Sequence, residues 1–468
     1  MFVTANHFKI LLIESKQTLK LAVPIITSQV GQLLLGILDA IMLGRVGVVP
    51  LAAASFAGSL FSIFLVFGFG ISSCISPLVA RADGAQKKRE SGEILRHGLV
   101  FVIYFGIILA CMIELLSNYL KWFDQPAEVL QESKGYLLIM GWSIIPALLF
   151  QSLRQFCEGL SKAFIPMLIM LSAVLLNGGL NWLWIYGNWG FSAHGLMGAG
   201  WATFVTRVVM MIAIAIYIMR SPKYEENLPL RWFSKLKMTL IREMFALGFP
   251  SALQTLFEVG AFAAAAVMMG WISTSSLAAH QIAISIASMT FMVTLGISFA
   301  SSIRVSNAIG RNDLRAARRC GFGGIGLGGI AMAFFGIVIF ITHAWLPSIY
   351  IHDLDVIEIA SKLLIIGAFF QIFDGIQGVA VGALRGMSDV RFPTLITFAS
   401  YWVISMPLVY FLGFTYSYGA VGIWIGLSIG LIVASIALTW RFHILTNHRI
   451  QKSILAKEAL ASSASLAR

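Results

Sequence analysis

PIITSQVGQLLLGILDAIMLGRVGVVPLAAASFAG (residues 24–58) and PSALQTLFEVGAFAAAAVMMGWISTSSLAAHQIAI (residues 250–284) open two copies of one pattern. Residues 24–89 align with 250–315 at a constant offset of 226 without a gap, and 18 of the 66 positions are identical. Among the identities are Pro24/Pro250, Ala40/Ala266, Gly44/Gly270, Ser76/Ser302 and Gly84/Gly310. Both copies lie in strongly apolar sequence, so the pattern reads as a membrane protein built from two related halves, an architecture typical of transporters.

Composition leads to the same class independently. Hydrophobic residues make up 58% of the 468, charged residues 12%, and the mean hydropathy is +0.86; a soluble chain carries roughly 25% charged residues. A helix needs about 20 apolar residues to cross a hydrocarbon core of about 30 Å. The chain divides into twelve such stretches, at 17–44, 51–79, 97–117, 135–157, 164–186, 196–219, 244–270, 276–303, 322–347, 361–384, 393–414 and 419–441. All read as helices, because backbone polar groups find no partner in lipid outside their own segment.

The formal charge of +12 follows from 33 Lys and Arg against 21 Asp and Glu. With the amino terminus in the cytoplasm, 28 of the 33 basic residues fall on the cytoplasmic side, Arg154 counted among them. Arg45, Lys121, Lys134 and Lys362 fall outside, and Arg207 falls within a span. This is the positive-inside bias; it places both termini in the cytoplasm and explains the basic clusters as topology signals, with anionic headgroup contact secondary. No nucleic-acid partner is expected. Lys9, Lys16 and Lys20 precede the first apolar run, but no small-residue cleavage pattern follows, so that run reads as a retained span. The four cysteines (Cys74, Cys111, Cys157, Cys320) lack metal-site spacing and read as small apolar residues.

Six helices per copy is an even number, so both halves enter the bilayer in the same orientation. The expected fold is an all-α membrane protein of twelve transmembrane helices, in two six-helix lobes related by a pseudo-two-fold axis along the membrane normal. The expected divisions are an N-lobe over 1–219, a basic cytoplasmic linker over 220–243, a C-lobe over 244–441 and a cytoplasmic tail over 442–468. Later parts of the halves also correspond: Gly159, Ser161 and Pro166 with Gly386, Ser388 and Pro393 at offset 227, and Gly195 and Gly198 with Gly419 and Gly422 at offset 224.

An ionisable residue at the centre of a span costs about 2.5 to 3.5 kcal/mol on insertion scales and is a functional candidate by default. Three acids qualify: Asp39 in helix 1, Glu258 in helix 7 and Asp374 in helix 10. None is duplicated, since Asp39 corresponds to Ala265, Glu258 to Gln32, and Asp374 to Ala147 or Leu148. At about 1.5 Å per residue, Glu258 and Asp374 lie near the midplane and Asp39 roughly 13 Å toward the outside. Asn177 and Asn181, one turn apart on helix 5, and Thr203 on helix 6 fall at heights compatible with Asp39. They are the expected partners of its carboxylate, with interhelical hydrogen bonding as the alternative reading of the asparagines. Near the other two acids lie Gln254, one turn before Glu258, and the stripe Gln371, Asp374, Gln377. Two desolvated carboxylates at one depth are expected to hold a proton or a cation, and oxygen ligands suit H⁺ or a hard monovalent ion. His280 reads as a wet interfacial histidine, and no partner is evident for Arg207.

The stretches LAVPIITSQVGQLLLGILDAIMLGRVG (21–47), GLMGAGWATFVTR (195–207), GFPSALQTLFEVGAF (248–262) and FQIFDGIQGVAVGALRG (370–386) resemble the multidrug and toxin extrusion (MATE) family, its NorM-like branch above all. The resemblance covers nearly the whole chain. It implies an antiporter that expels small organic, often cationic, compounds in exchange for Na⁺ or H⁺, with no cofactor. The family's helix 1 aspartate then falls on Asp39, its helix 5 polar pair on Asn177 and Asn181, its helix 7 glutamate on Glu258 and its helix 10 aspartate on Asp374. Glu258 and Asp374 become the candidate Na⁺ ligands. Phe370 stands where some relatives carry a tyrosine, which removes one hydroxyl ligand. Phe257, Phe291, Met292 and Phe370 are the candidate apolar surface for substrate. A monomer in the bacterial inner membrane, in contact with lipid, is expected. Two rivals are a flippase for lipid-linked oligosaccharide or lipid II, which needs a broader basic cavity, and a membrane enzyme, for which no nucleophile and base pair appears. No GxxxxGK[ST] pattern is present, which argues against ATP hydrolysis within this chain.

Overall fold

The computed structural model describes residues 5–466, with side chains considered over 13–455. Twelve helices long and apolar enough to cross a membrane follow one another, and no strand occurs among the described residues. They are α1 (Ala5–Gly44), α2 (Val48–Gly84), α3 (Lys88–Ser117), α4 (Ala127–Gly159), α5 (Phe164–Trp184) and α6 (Gly195–Arg220). The second six are α7 (Met238–Ile272), α8 (Thr274–Gly310), α9 (Leu314–Thr342), α10 (Leu354–Gly386), α11 (Arg391–Thr415) and α12 (Gly419–Leu466). Several run past their apolar stretches at the ends that carry the basic residues. α3 begins at Lys88 rather than 97 and α9 at Leu314 rather than 322, because a helix satisfies its own backbone in water as well as in lipid.

The duplication is visible in the turns as well as in the sequence. Gln86 and Asn312 sit at equivalent positions with φ of 58° and 59°, and Ser161 and Ser388 likewise with 59° and 60°. Gly195 and Gly419 complete the series at 51° and 58°. The left-handed conformation is costly for residues with a Cβ, so its recurrence at matched positions is a property of the fold and not of the residue type. Helix seams recur too. A Cβ on Gly159 would lie 2.8 Å from the carbonyl oxygen of Ser76, and one on the equivalent Gly386 would lie 2.6 Å from that of Ser302. Small residues at these seams let backbones approach in a membrane, where packing replaces the hydrophobic drive.

The chain forms two compact units. One contains Pro24–Asp83 and Lys87–Leu256; the other contains Met1–Val23, Gly84–Gln86 and Phe257–Arg468. We call them the amino and carboxy units. Helix α1 thus passes from one unit to the other after Val23, and α7 after Leu256. Ion pairs show what holds each helix start in its unit. Within the carboxy unit, the Arg304 guanidinium of α8 reaches the Glu14 carboxylate, Thr18 Oγ1 at 2.7 Å and Gln17 Oε1 at 2.7 Å, all on α1 before it leaves this unit at Val23. Within the amino unit, Arg81 at the end of α2 pairs with Glu243 at the start of α7 at 2.6 Å.

In the carboxy unit α10 is the central helix, packed by α8, α9 and α12. Ser298 and Ser306 of α8 donate to the carbonyls of Gly378 and Gly386 at 2.6 and 3.0 Å, which fixes the register of the α8/α10 seam. Helix α11 departs from regular geometry, with π-helical turns over Ala399–Ser405 and Phe411–Thr415. Wider turns of this kind re-aim side chains and recur at functional sites.

Candidate functional site

The amino unit gathers its polar side chains around Asp39. Asn181 Nδ2 donates to Asp39 Oδ1 at 2.6 Å, and Thr203 Oγ1 donates to Asp39 Oδ2 at 3.0 Å. Asn177 closes the ring, accepting from Asn181 Nδ2 at 3.2 Å and donating to Thr203 Oγ1 at 3.4 Å. Asn177 and Asn181 are completely buried, Thr203 and Asp39 nearly so. The one-turn spacing on α5 puts both amides on the same face, and α6 brings the hydroxyl to meet them. Every hydrogen bond received by the carboxylate comes from a neutral donor. Asn181 Oδ1 is buried without a protein donor, leaving a free acceptor beside Asp39 that a proton carrier or a cation can use.

Arg207, one turn beyond Thr203 on α6, donates to Ser143 Oγ at the bend of α4 and lies 5.0 Å from the centre of the Phe61 ring. These are the partners that the sequence left open. A second buried cation was missed altogether. Arg154 and Glu158, each 1% exposed, pair one turn apart on α4 with Nε to Oε1 at 3.4 Å, and Arg154 Nη2 donates to Gln29 Oε1 of α1 at 2.8 Å. Arg154 was counted with the cytoplasmic residues although it lies within the fourth apolar stretch, 135–157, and that stretch stopped short of Glu158; α4 carries both, buried inside the unit. Opposite charges at positions i and i+4 in an apolar run were the signal available.

The carboxy unit holds the other two acids. Gln377 Nε2 donates to Glu258 Oε1 at 3.2 Å, and Tyr401 O–H donates to Gln377 Oε1 at 2.9 Å. Asp374 is 6% exposed, one turn before Gln377 on the same helix. Gln371 donates to Thr290 Oγ1 at 2.8 Å, while its Oε1 is buried without a protein donor. The site therefore combines two carboxylates, an unsatisfied amide oxygen and a phenol, and these hydrogen bonds come from neutral donors. Oxygen-rich surroundings of this kind suit a proton or a hard monovalent ion. Tyr401, fully buried on the first π-helical turn of α11, was invisible in the sequence because nothing distinguishes it from the other tyrosines until the backbone is known.

The remaining candidates are scattered. Gln254 is buried on α7, and Gln32 is half-buried on α1. The Phe257 ring packs, tilted by 54°, with its centre 4.9 Å from that of Phe398, and its carbonyl accepts from Trp402 Nε1 at 3.0 Å. Phe291 borders Gly378 at the α8/α10 seam, and Met292 is half-buried beside it. Phe370 belongs to the core, 5.5 Å from the Trp424 ring. His280 is not the wet interfacial residue expected. It is 1% exposed, and its Nδ1 accepts from Trp424 Nε1 at 3.1 Å, because the start of α8 is packed inside the unit.

The MatE family model matches residues 24–183 and 250–411, one match in each copy of the repeat. The probable multidrug resistance protein NorM of Rhodopseudomonas palustris is 37% identical over 445 residues, covering 94% of both chains. The multidrug resistance protein NorM of Photobacterium profundum is 32% identical over 433 residues, covering 92% of this chain and 95% of its own. Among solved structures, an outward-facing multidrug resistance MATE family transporter of the MOP superfamily superposes with a TM-score of 0.85 at 19% identity, covering 93% of this chain and 96% of the other. The eukaryotic MATE transporter AtDTX14 gives 0.84 at 20%, covering 94% and 100%. The fold agrees with these structures, and the full-length relatives and the paired matches show the lineage: the chain belongs to the MatE family.

Proposed function

We propose that this chain is a secondary active multidrug efflux antiporter, exporting organic and often cationic compounds in exchange for Na⁺ or H⁺ by alternating access. The observation that carries the reading is the pair of carboxylate clusters, Asp39 in one unit and Glu258 with Asp374 in the other, each surrounded by neutral oxygen and amide groups. A buried carboxylate is expensive as an anion and is relieved by a proton, a cation or a cationic substrate. Ion entry neutralises it and lowers its affinity for a cationic drug; ion departure restores that affinity. Exchange then follows from competition for the same charge, provided each form favours a different conformer. The NorM relatives carry multidrug resistance in their names, which supports the substrate class. The protein works as a monomer in the inner membrane with cytoplasmic termini, in line with the basic loops, and it is a carrier and not an enzyme.

Dye export from proteoliposomes containing only this protein tests the reading, with a Na⁺ gradient and a pH gradient imposed separately. One of the two drives export in the wild type, and Asp39→Asn, Glu258→Gln and Asp374→Asn each lower coupled export at least about tenfold, the loss of about 1.4 kcal/mol of site interaction. Unchanged coupling in all three variants sinks the assignment. The flippase reading needs a broad basic cavity; Arg154 and Arg207 are instead engaged with Glu158, Gln29 and Ser143.

A further inference from the structure

The segment between α6 and α7 runs LPLRWFSKLKM over residues 228–238. It carries Arg231, Lys235 and Lys237 and no acid, interleaved with Leu230, Trp232, Phe233, Leu236 and Met238. All five apolar side chains are exposed: Phe233 completely, Leu230 at 73% and Met238 at 72%. Exposed apolar groups in such number are costly in water and call for a covering phase.

The backbone of this segment is nevertheless held firmly along α3. Asn227 Nδ2 donates to Ser91 Oγ at 2.9 Å, and a Cβ on Gly92 would lie 2.6 Å from the carbonyl carbon of Leu228, so the chain crosses α3 in direct contact at that point. Further along α3, Arg96 donates to the carbonyls of Ser234 and Lys235, and Lys237 N–H donates to His97 Nε2 at 2.8 Å. His97 Nδ1 in turn donates to the Glu93 carbonyl at 2.7 Å, the tautomer that leaves Nε2 free to accept. From Gly92 to His97 the segment has climbed about 7 Å along the helix axis toward the membrane. The apolar stretch of α3 spans residues 97–117, about 31 Å, which is the thickness of a hydrocarbon core. Arg96 and His97 therefore mark the boundary of that core, and they hold Ser234–Lys237 at the level of the lipid headgroups.

We propose that residues 228–238 form an interfacial anchor that inserts Phe233 and its apolar neighbours into the headgroup region while Arg231, Lys235 and Lys237 bind anionic lipid phosphates. Aromatic residues favour this layer, and each cation adds about fivefold to partitioning at an anionic surface. With cytoplasmic termini, the leaflet is the cytoplasmic one.

The test is a spin label at Phe233→Cys in full-length protein carrying Cys111→Ala, the other three cysteines being buried. Collision with lipid-soluble oxygen and with a water-soluble nickel chelate is measured in nanodiscs of phosphatidylcholine with and without phosphatidylglycerol. The expected result is a label open to oxygen and protected from nickel, more so with phosphatidylglycerol. Arg231→Glu, Lys235→Glu and Lys237→Glu together should abolish the phosphatidylglycerol effect without changing dye export driven as above. Nickel access in both lipids overturns the proposal. An oxygen-to-nickel ratio indifferent to lipid charge overturns the anionic selectivity, and protection from both reagents that grows with protein per disc replaces lipid with a second copy of the chain.

Discussion

Asp39 and Glu258 are served by neutral donors only, yet the two networks differ in depth. The Asp39 carboxylate is touched directly by Asn181 and Thr203, whereas Glu258 depends on Gln377, whose own orientation is fixed by Tyr401. Tyr401 uses its proton on Gln377 Oε1 and so keeps the amide Nε2 turned toward Glu258. Tyr401→Phe removes one neutral hydrogen bond, about 1 kcal/mol or about fivefold in affinity. The expected outcome is a coupling-ion concentration for half-maximal dye export raised by about that factor, with the maximal rate retained; Gln377→Leu raises it further. A change confined to maximal rate would show instead that Tyr401 acts only on packing. The sites were partly legible at this scale. Charge in an apolar span exposed the three acids, and helix depth linked Asp39 to Asn177, Asn181 and Thr203. Tyr401 carries no charge and reaches its place through the wider turn of α11, so neither signal could find it.

Among the elements, the α8/α10 seam bears on the carboxy-unit acids most directly, because α10 carries Gln371, Asp374 and Gln377. A Cβ at Gly382 would fall 2.3 Å from the carbonyl oxygen of Ser298 and 2.5 Å from its Oγ. Gly382→Val forces the two helices apart, which costs about 1 to 3 kcal/mol for an overpacked contact. Its melting temperature in detergent is expected to fall well below that of the wild type. Gly179→Val on α5, where a Cβ meets nothing within 4 Å, should leave it nearly unchanged. Helix existence was readable from the apolar runs, since lipid leaves the backbone no other option. Helix ends were not, because hydropathy stops at the edge of the bilayer and hydrogen bonding does not. The same gap hid Glu158, one residue past the assumed end of the fourth stretch.

At the level of the whole molecule, the repeats and the compact units are different partitions of the chain. The repeat begins anew in α7, but Met238–Leu256 belongs to the amino unit and Met1–Val23 to the carboxy unit. A fragment ending at residue 219 lacks the α7 segment that its unit requires, with the Arg81–Glu243 pair lost. It also carries an α1 start whose Glu14 has no Arg304 to meet. Fragments 1–230 and 231–468 are therefore expected to yield little protein when expressed singly, and to co-purify and recover dye export when expressed together. Independent folding of fragment 1–219 to the wild-type melting temperature would contradict this. Internal homology reveals what was duplicated; contacts decide what folds together, and those arise from ion pairs such as Glu14–Arg304 that the duplicated pattern does not contain.

On the antiport proposed above, the division of the carboxylates, one in the amino unit and two in the carboxy unit, also sets the electrical character of exchange. A monovalent drug cation leaving against one entering ion moves no net charge, and the membrane potential is then a spectator. Against two ions, as a site holding both Glu258 and Asp374 allows, one charge crosses per turnover, and each 100 mV adds about 2.3 kcal/mol to the drive. With the three acids as the ion sites of the antiport proposed above, the voltage dependence of export counts how many of them are used.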